Sequence, residues 1–129
     1  MKLAFSTLAC PQWTLEQAVA NGRMYGYEGI ELRLLDGEVL QSDLSRAARE
    51  RVCAVCAGAG LPIVCVDTSD KIAQEDPVQL REGLLFLELA AAWEAPLMRV
   101  FGGPPTQMKQ RCSKRQLLVW VHLRSVGVS

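Results

Sequence analysis

Gly29-Ile30-Glu31-Leu32-Arg33-Leu34-Leu35 alternates apolar and charged side chains, with Ile30, Leu32 and Leu34 on one side and Glu31 and Arg33 on the other. Successive side chains of a strand point to opposite faces, so this run reads as a strand with one apolar and one charged face. Its neighbours decide the kind of sheet. Three more apolar runs, LAFSTL (residues 3–8), PIVCVD (62–67) and LMRVFGG (97–103), keep company with it, and the four begin at intervals of about 26 to 35 residues. An amphipathic stretch follows each of the first three. Strand and helix in strict alternation predict a parallel sheet with helices packed on its apolar side.

The spacing suits a (β/α)8 barrel, an architecture of about 250 residues. The chain has 129. The expected fold is α/β, parallel (β/α) units making an incomplete TIM barrel of about four of the eight units, with an irregular C-terminal tail. A barrel strand turns its apolar side to the helices, so Glu31 and Arg33 are expected to point inward.

Local signals place the helices. Thr14 with Gln17 has the spacing of a capping box, and Leu15, Ala18, Val19 and Gly22 fall on one stripe. Asp43 is the expected cap of the second helix, Leu44, Ala47, Ala48, Val52, Val55 and Ala59 its buried stripe, and Gly60 its stop. Asp76-Pro77 opens the third, with Leu80, Leu84, Leu87, Ala90 and Ala91 expected inside and Pro96 beyond its end. Thr68-Ser69-Asp70-Lys71 reads as a polar loop. The apolar run 117–123 fits a strand or a helical turn equally well.

Charge divides the chain where the alternation ends. Residues 1–105 carry 9 basic and 14 acidic side chains, whereas 106–129 carry 5 basic ones and no acid. The expected organisation is a body over 1–105 and a basic tail over 106–129. Such a tail can serve an anionic partner. Here it lacks the interleaved aromatics of a base-stacking surface, and a frameshifted or truncated end is the preferred reading. Five cysteines, an odd number, and no convincing export signal point to reduced thiols in the cytoplasm. No run approaches the roughly 20 apolar residues of a membrane span. No glycine-rich phosphate loop follows any strand, which argues against a nucleotide fold. Cys53 and Cys56 form a C-x-x-C inside a helix without a second ligand pair, a pattern that fits packing better than zinc.

The stretch FSTLACPQWTLEQAVANGRMYGYEGIELRLLDGEVL (residues 5–40) resembles the amino-terminal part of the sugar phosphate isomerase/epimerase family, the xylose-isomerase-like barrels. Gly26-Tyr27-Glu28-Gly29-Ile30-Glu31-Leu32-Arg33 matches that family's second-strand pattern G-[YF]-[DE]-G-[IV]-E-L-R. Arg99-Val100-Phe101-Gly102-Gly103 matches its fourth-strand R-V-F-G-G. The likeness covers about residues 2–105 and does not continue into 106–129. It implies an enzyme that moves hydrogen between adjacent carbons of a sugar, sugar phosphate or polyol with a divalent metal (Mn, Mg, Co or Zn). The family's metal ligands, two Glu, an Asp and a His, lie on strands five to eight, which have no counterpart here. No catalytic or metal-binding residue is therefore expected in this chain, and it is expected to be inactive as a fragment. Its one histidine, His122, lies in the tail away from any acid.

Barrel ligands bind beyond the carboxyl ends of the strands. On that geometry the candidate substrate-binding residues are Trp13, Glu31, Asp67, Ser69 and Arg99, with Cys10, Asp36 and Gly102-Gly103 nearby. Trp13 can stack on a sugar ring or close the core. Glu31, Arg33 and Arg99 can position substrate or form a salt-bridged layer. The partners expected are a sugar or sugar phosphate, no nucleic acid, no membrane, and a homodimer that closes the half barrel through its two unpaired edge strands. A dehydratase or an abasic-site endonuclease of the same superfamily is the alternative reaction.

Overall fold

Thr14 and Gln17 cap the first helix reciprocally, as their spacing predicts. Thr14 Oγ1 accepts from the Gln17 N–H at 3.3 Å and Gln17 Oε1 from the Thr14 N–H at 2.9 Å. The structure, a computed structural model, describes residues 1–71, 76–101 and 118–122, with Asp70, Lys71 and 118–122 as backbone. Helix α1 (Leu15–Met24) buries Leu15, Ala18, Val19 and Gly22. Gly22 is required by proximity: a Cβ there would lie 2.4 Å from the Phe5 ring, so its absence lets α1 lie down on the first strand.

Helix α2 (Arg46–Ala59) is capped by Ser45, whose Oγ accepts from the Ala48 N–H, and not by Asp43. The reason lies in Arg49. Its guanidinium donates to the carbonyls of Leu44 and Ser42 at 3.0 Å each, holding that segment outside the helix. Val52 and Cys56 are buried, Ala48, Val55 and Ala59 half-buried and Ala47 exposed, a narrower stripe than expected. Gly60 closes the helix in the left-handed region at φ 63°, where a side chain would be strained.

Helix α3 (Pro77–Ala92) starts at Asp76-Pro77 as predicted, Asp76 Oδ1 accepting from the Val78 N–H at 2.9 Å. Its orientation differs from the expectation. Phe86, Leu89 and Ala90 face the sheet, while Leu80, Leu84 and Ala91 are exposed. Apolar residues surround this helix almost completely, so periodicity does not select a face. The larger area of Phe86, reinforced by buried Trp93 just past the helix, does.

The strands are β1 (Ala4–Ser6), β2 (Gly29–Leu32), β3 (Leu34–Leu35), β4 (Glu38–Val39), β5 (Ile63–Lys71), β6 (Leu97–Phe101) and β7 (Leu118–His122). One sheet has the order β1-β2-β5-β6-β7, with β1 to β6 parallel along it and β7 antiparallel to β6. The architecture is thus α/β with a four-stranded parallel sheet and three helices among the described residues. β3 and β4 form a separate hairpin around Asp36-Gly37, both at positive φ, the backbone that a tight two-residue turn demands.

Several strand expectations need correction. The first run ends as a strand at Ser6 and passes into a 3-10 turn, Thr7–Ala9; it lies at the sheet edge and is exposed or half-buried. β5 runs through Thr68-Ser69-Asp70-Lys71, expected as a loop. Pairing of Lys71 with Phe101 on β6 satisfies backbone groups that the polar composition alone would leave to water. The run 117–123 supplies a strand, so the segment expected to be irregular contributes to the sheet, and the outer edge of β6 is not free as the half-barrel expectation required. Gly102, Gly103 and the remainder of 106–129 lie outside the described residues.

The core lies on the helix side of the sheet, where Ile30, Leu32, Val66, Met98 and Val100 meet Val19, Val52 and Leu89. No helix of the described residues is long and apolar enough to cross a membrane.

Candidate functional site

Because Ile30, Leu32, Val66 and Met98 are committed to the helix side, their alternate neighbours emerge on the opposite face. The register sets Glu31 beside Cys65 and Asp67 beside Arg99. There the sequence of charges becomes one cluster. Arg99 pairs directly with Asp67 Oδ2, and its Nη1 lies 3.6 Å from Glu31 Oε1. Arg33 Nε lies 3.9 Å from Asp67 Oδ2, and its Nη2 donates to Ser69 Oγ at 2.9 Å. Asp67 is completely buried and Glu31 nearly so. Two carboxylates and two guanidiniums balance in charge, which is the condition for burying them.

The hydrogen bonding is incomplete. Asp67 Oδ1, Arg33 Nη1 and Arg99 Nε are buried without a partner among the described residues. An acceptor and two donors are therefore unsatisfied within one wall.

Two threonines fix this wall. Thr7 Oγ1 accepts from the N–H groups of Arg33 at 3.0 Å and Leu34 at 2.8 Å, setting where the chain leaves β2. Thr68 Oγ1 donates to the Arg99 carbonyl at 3.0 Å, pinning β5 to β6. The sequence reads Thr7 as an ordinary strand residue; the signal of its other role is a hydroxyl residue just before Cys10-Pro11, where a strand must end. The neighbouring charges act on the site's ionisation. Asp67 holds Arg99 firmly protonated. Burial, then the charge of Glu31, pushes the Cys65 thiol up to about 12, so it stays uncharged at neutral pH.

Of the five candidates, Glu31, Asp67 and Arg99 come together directly and Ser69 joins through Arg33. Trp13 is half-buried against the core cluster, and among the described residues no hydrogen bond or ion pair links it to the charged wall. Cys10 is buried with its thiol toward the Thr7 carbonyl, and burial raises its pKa. His122 lies on β7 opposite Leu97 in register. Cys53 is exposed and Cys56 buried, and both line a cavity of about 560 Å³ with Leu61, Ile63 and Trp93, at the amino end of β5.

Asp36 has a different task from the one expected. Its Oδ1 accepts from the Leu15 N–H at 2.9 Å, and Arg51 bridges it to Glu16, tying α1, α2 and the hairpin turn together. Arg51 lowers both carboxyl pKa values. Depressed folded-state pKa values stabilise above the unfolded carboxylate range, and that contribution disappears as pH falls through the folded values. All three side chains are more than a third exposed, so solvent screening keeps the contribution to about 1 kcal/mol or less. Arg51→Met is expected to lower Tm by about 3 °C at neutral pH, with the difference vanishing near pH 2 in thermal melts.

The metal implied by the family likeness does not fit the wall. Among the described residues Glu31 and Asp67 are the carboxylates of this wall, and two guanidiniums already neutralise them; a dication would have to displace those charges. Among the described residues no three or more His, Cys, Asp or Glu side chains converge. No protein-family model matches the chain, and no curated protein matches it.

Proposed function

We propose that the chain is a sugar- or sugar-phosphate-binding protein of the isomerase/epimerase type, built as the first half of a (β/α)8 barrel. Glu31, Arg33, Asp67, Ser69 and Arg99 form its ligand-facing wall. The observation that carries the reading is the unpaired acceptor Asp67 Oδ1 in the same wall as the unpaired donors Arg33 Nη1 and Arg99 Nε. A hydroxyl both donates and accepts, so adjacent hydroxyls of a polyol complement this pattern. Leaving such groups unpaired costs about 1–3 kcal/mol each, which a ligand's hydroxyls would recover.

In this reading the chain binds and orients. Arg33 and Arg99 hold hydroxyl or phosphate oxygens and Asp67 takes a hydroxyl proton in a hydrogen bond. Hydrogen transfer between adjacent carbons belongs to the metal-bearing strands of the family, and the isolated chain is inactive. A cytoplasmic setting is part of the same proposal, supported by the free thiols of Cys10, Cys53, Cys56 and Cys65.

Ligand-observed NMR with a panel of aldoses, ketoses and their phosphates tests it. At least one is expected to bind saturably, and Arg33→Met to weaken that binding about tenfold, the loss of one charge-assisted hydrogen bond. No saturable binding anywhere in the panel, or binding indifferent to Arg33, would reject the reading. Turnover of any of these sugars on adding Mn²⁺ would reject the inactive part alone.

A further inference from the structure

With Phe86, Leu89 and Ala90 turned to the sheet, α3 keeps a second apolar stripe. Leu80, Leu84 and Ala91 are exposed and Leu87 is half-buried. Their spacing of four, three and four residues is that of successive d, a, d and a positions in a heptad. On a helix of 3.6 residues per turn the stripe lies roughly 140° from the centre of the face that meets the sheet, so a helix laid on it clears the body.

The flanking charges specify the orientation. Arg81 and Glu88 occupy the two e positions along one side of the stripe, while the g positions on the other side are Gly83 and Ala90. Arg81 and Glu88 are exposed, and neither forms an ion pair among the described residues. A parallel pair would set e opposite g, where no charge exists. An antiparallel pair sets e opposite e and makes an isologous contact, the same patch used twice.

We propose that α3 is a homodimer interface, in which two copies pack antiparallel through Leu80, Leu84, Leu87 and Ala91, with Arg81 facing Glu88 of the partner subunit. The two-fold repeats that charge pair, and Gly83 leaves one flank of the stripe without a side chain, while Ala90 stays in the core. The dimer leaves the charged wall open, because that wall lies on the opposite side of the sheet from α3. It is also a different contact from strand pairing at β6, whose outer edge β7 already occupies. Three helical turns bury less than a standard interface, so the dimer dissociates on dilution.

Sedimentation velocity of the full chain from about 10 to 500 μM tests the proposal in the range where a small interface associates. A reversible monomer–dimer equilibrium is expected. Leu84→Glu, at the solvent face, should leave the circular dichroism unchanged and abolish the dimer. Arg81→Glu and Glu88→Arg should each weaken it about tenfold by setting like charges opposite one another, and the double exchange should restore it. A monomer at every concentration, as when the chain's own segment 102–117 covers the stripe, overturns the proposal. So does a dimer untouched by Leu84→Glu, or a double exchange no tighter than the single ones.

Discussion

Asp67→Ala is expected to reduce the unfolding free energy by about 3–5 kcal/mol, the usual effect of removing one member of a buried ion pair. Asp67 is fully buried and its Oδ2 is shared between Arg99 and Arg33. Without it two guanidiniums remain close together, with Glu31 as their remaining counter-charge among the described residues. Replacing Asp67 and Arg99 together, as Leu and Met, should cost far less than either change alone, because an apolar pair of similar volume neither demands water nor leaves a stranded charge. Urea denaturation of the two single variants and the double variant gives the coupling directly. A loss below about 1 kcal/mol for Asp67→Ala would mean that water reaches these groups and that the wall is not a buried layer.

Part of that layer is legible in the sequence, which groups Glu31, Arg33 and Arg99 but reads Asp67 only as a residue at a strand's carboxyl end. Alternation at Ile30, Glu31, Leu32 and Arg33 assigns the faces of β2, and parallel neighbours then carry Asp67 and Arg99 to the charged side. Local chemistry also served well at Thr14, Gln17, Gly60 and Asp76-Pro77, where the cap and its partner lie within a few residues. Errors arose where distant contacts outweigh local preference. Thr68-Ser69-Asp70-Lys71 is strand because β6 pairs with it, and no property of those four side chains announces β6. Asp43 loses the cap to Ser45 because Arg49 holds the carbonyls of Ser42 and Leu44. On α3 two apolar faces compete, and the bulk of Phe86 and Trp93 decides between them. The site shows the same division: alternation finds Glu31 and Arg33, while the role of Thr7 depends on its hydroxyl reaching a segment 26 residues away.

Thr7→Val tests that reach. Valine keeps the shape of threonine and replaces the hydroxyl, with its acceptor and its donor, by a methyl group. The N–H groups of Arg33 and Leu34, which both donate to Thr7 Oγ1, then lose their partner together. Thr7 itself is buried and both donors are half-buried, so the combined cost is expected to be about 2–3 kcal/mol, below that of two fully buried orphans. Thr7→Ser retains the hydroxyl and should cost about 1 kcal/mol for the lost methyl. Amide hydrogen exchange reads the cause separately from global stability: protection at Arg33 and Leu34 should fall in the valine variant well beyond the general loss. The effect should also extend to the sugar binding proposed above. Arg33 leaves β2 at the point that Thr7 fixes, and its guanidinium reaches Ser69 and Asp67 only from there. A valine variant that binds sugar as tightly as the wild type would show that Arg33 is positioned by its ion pairs alone. Weakened binding with an intact core would instead make the end of β1 a positioning element of the wall, so that the turn after the first strand shapes the site from behind the sheet edge.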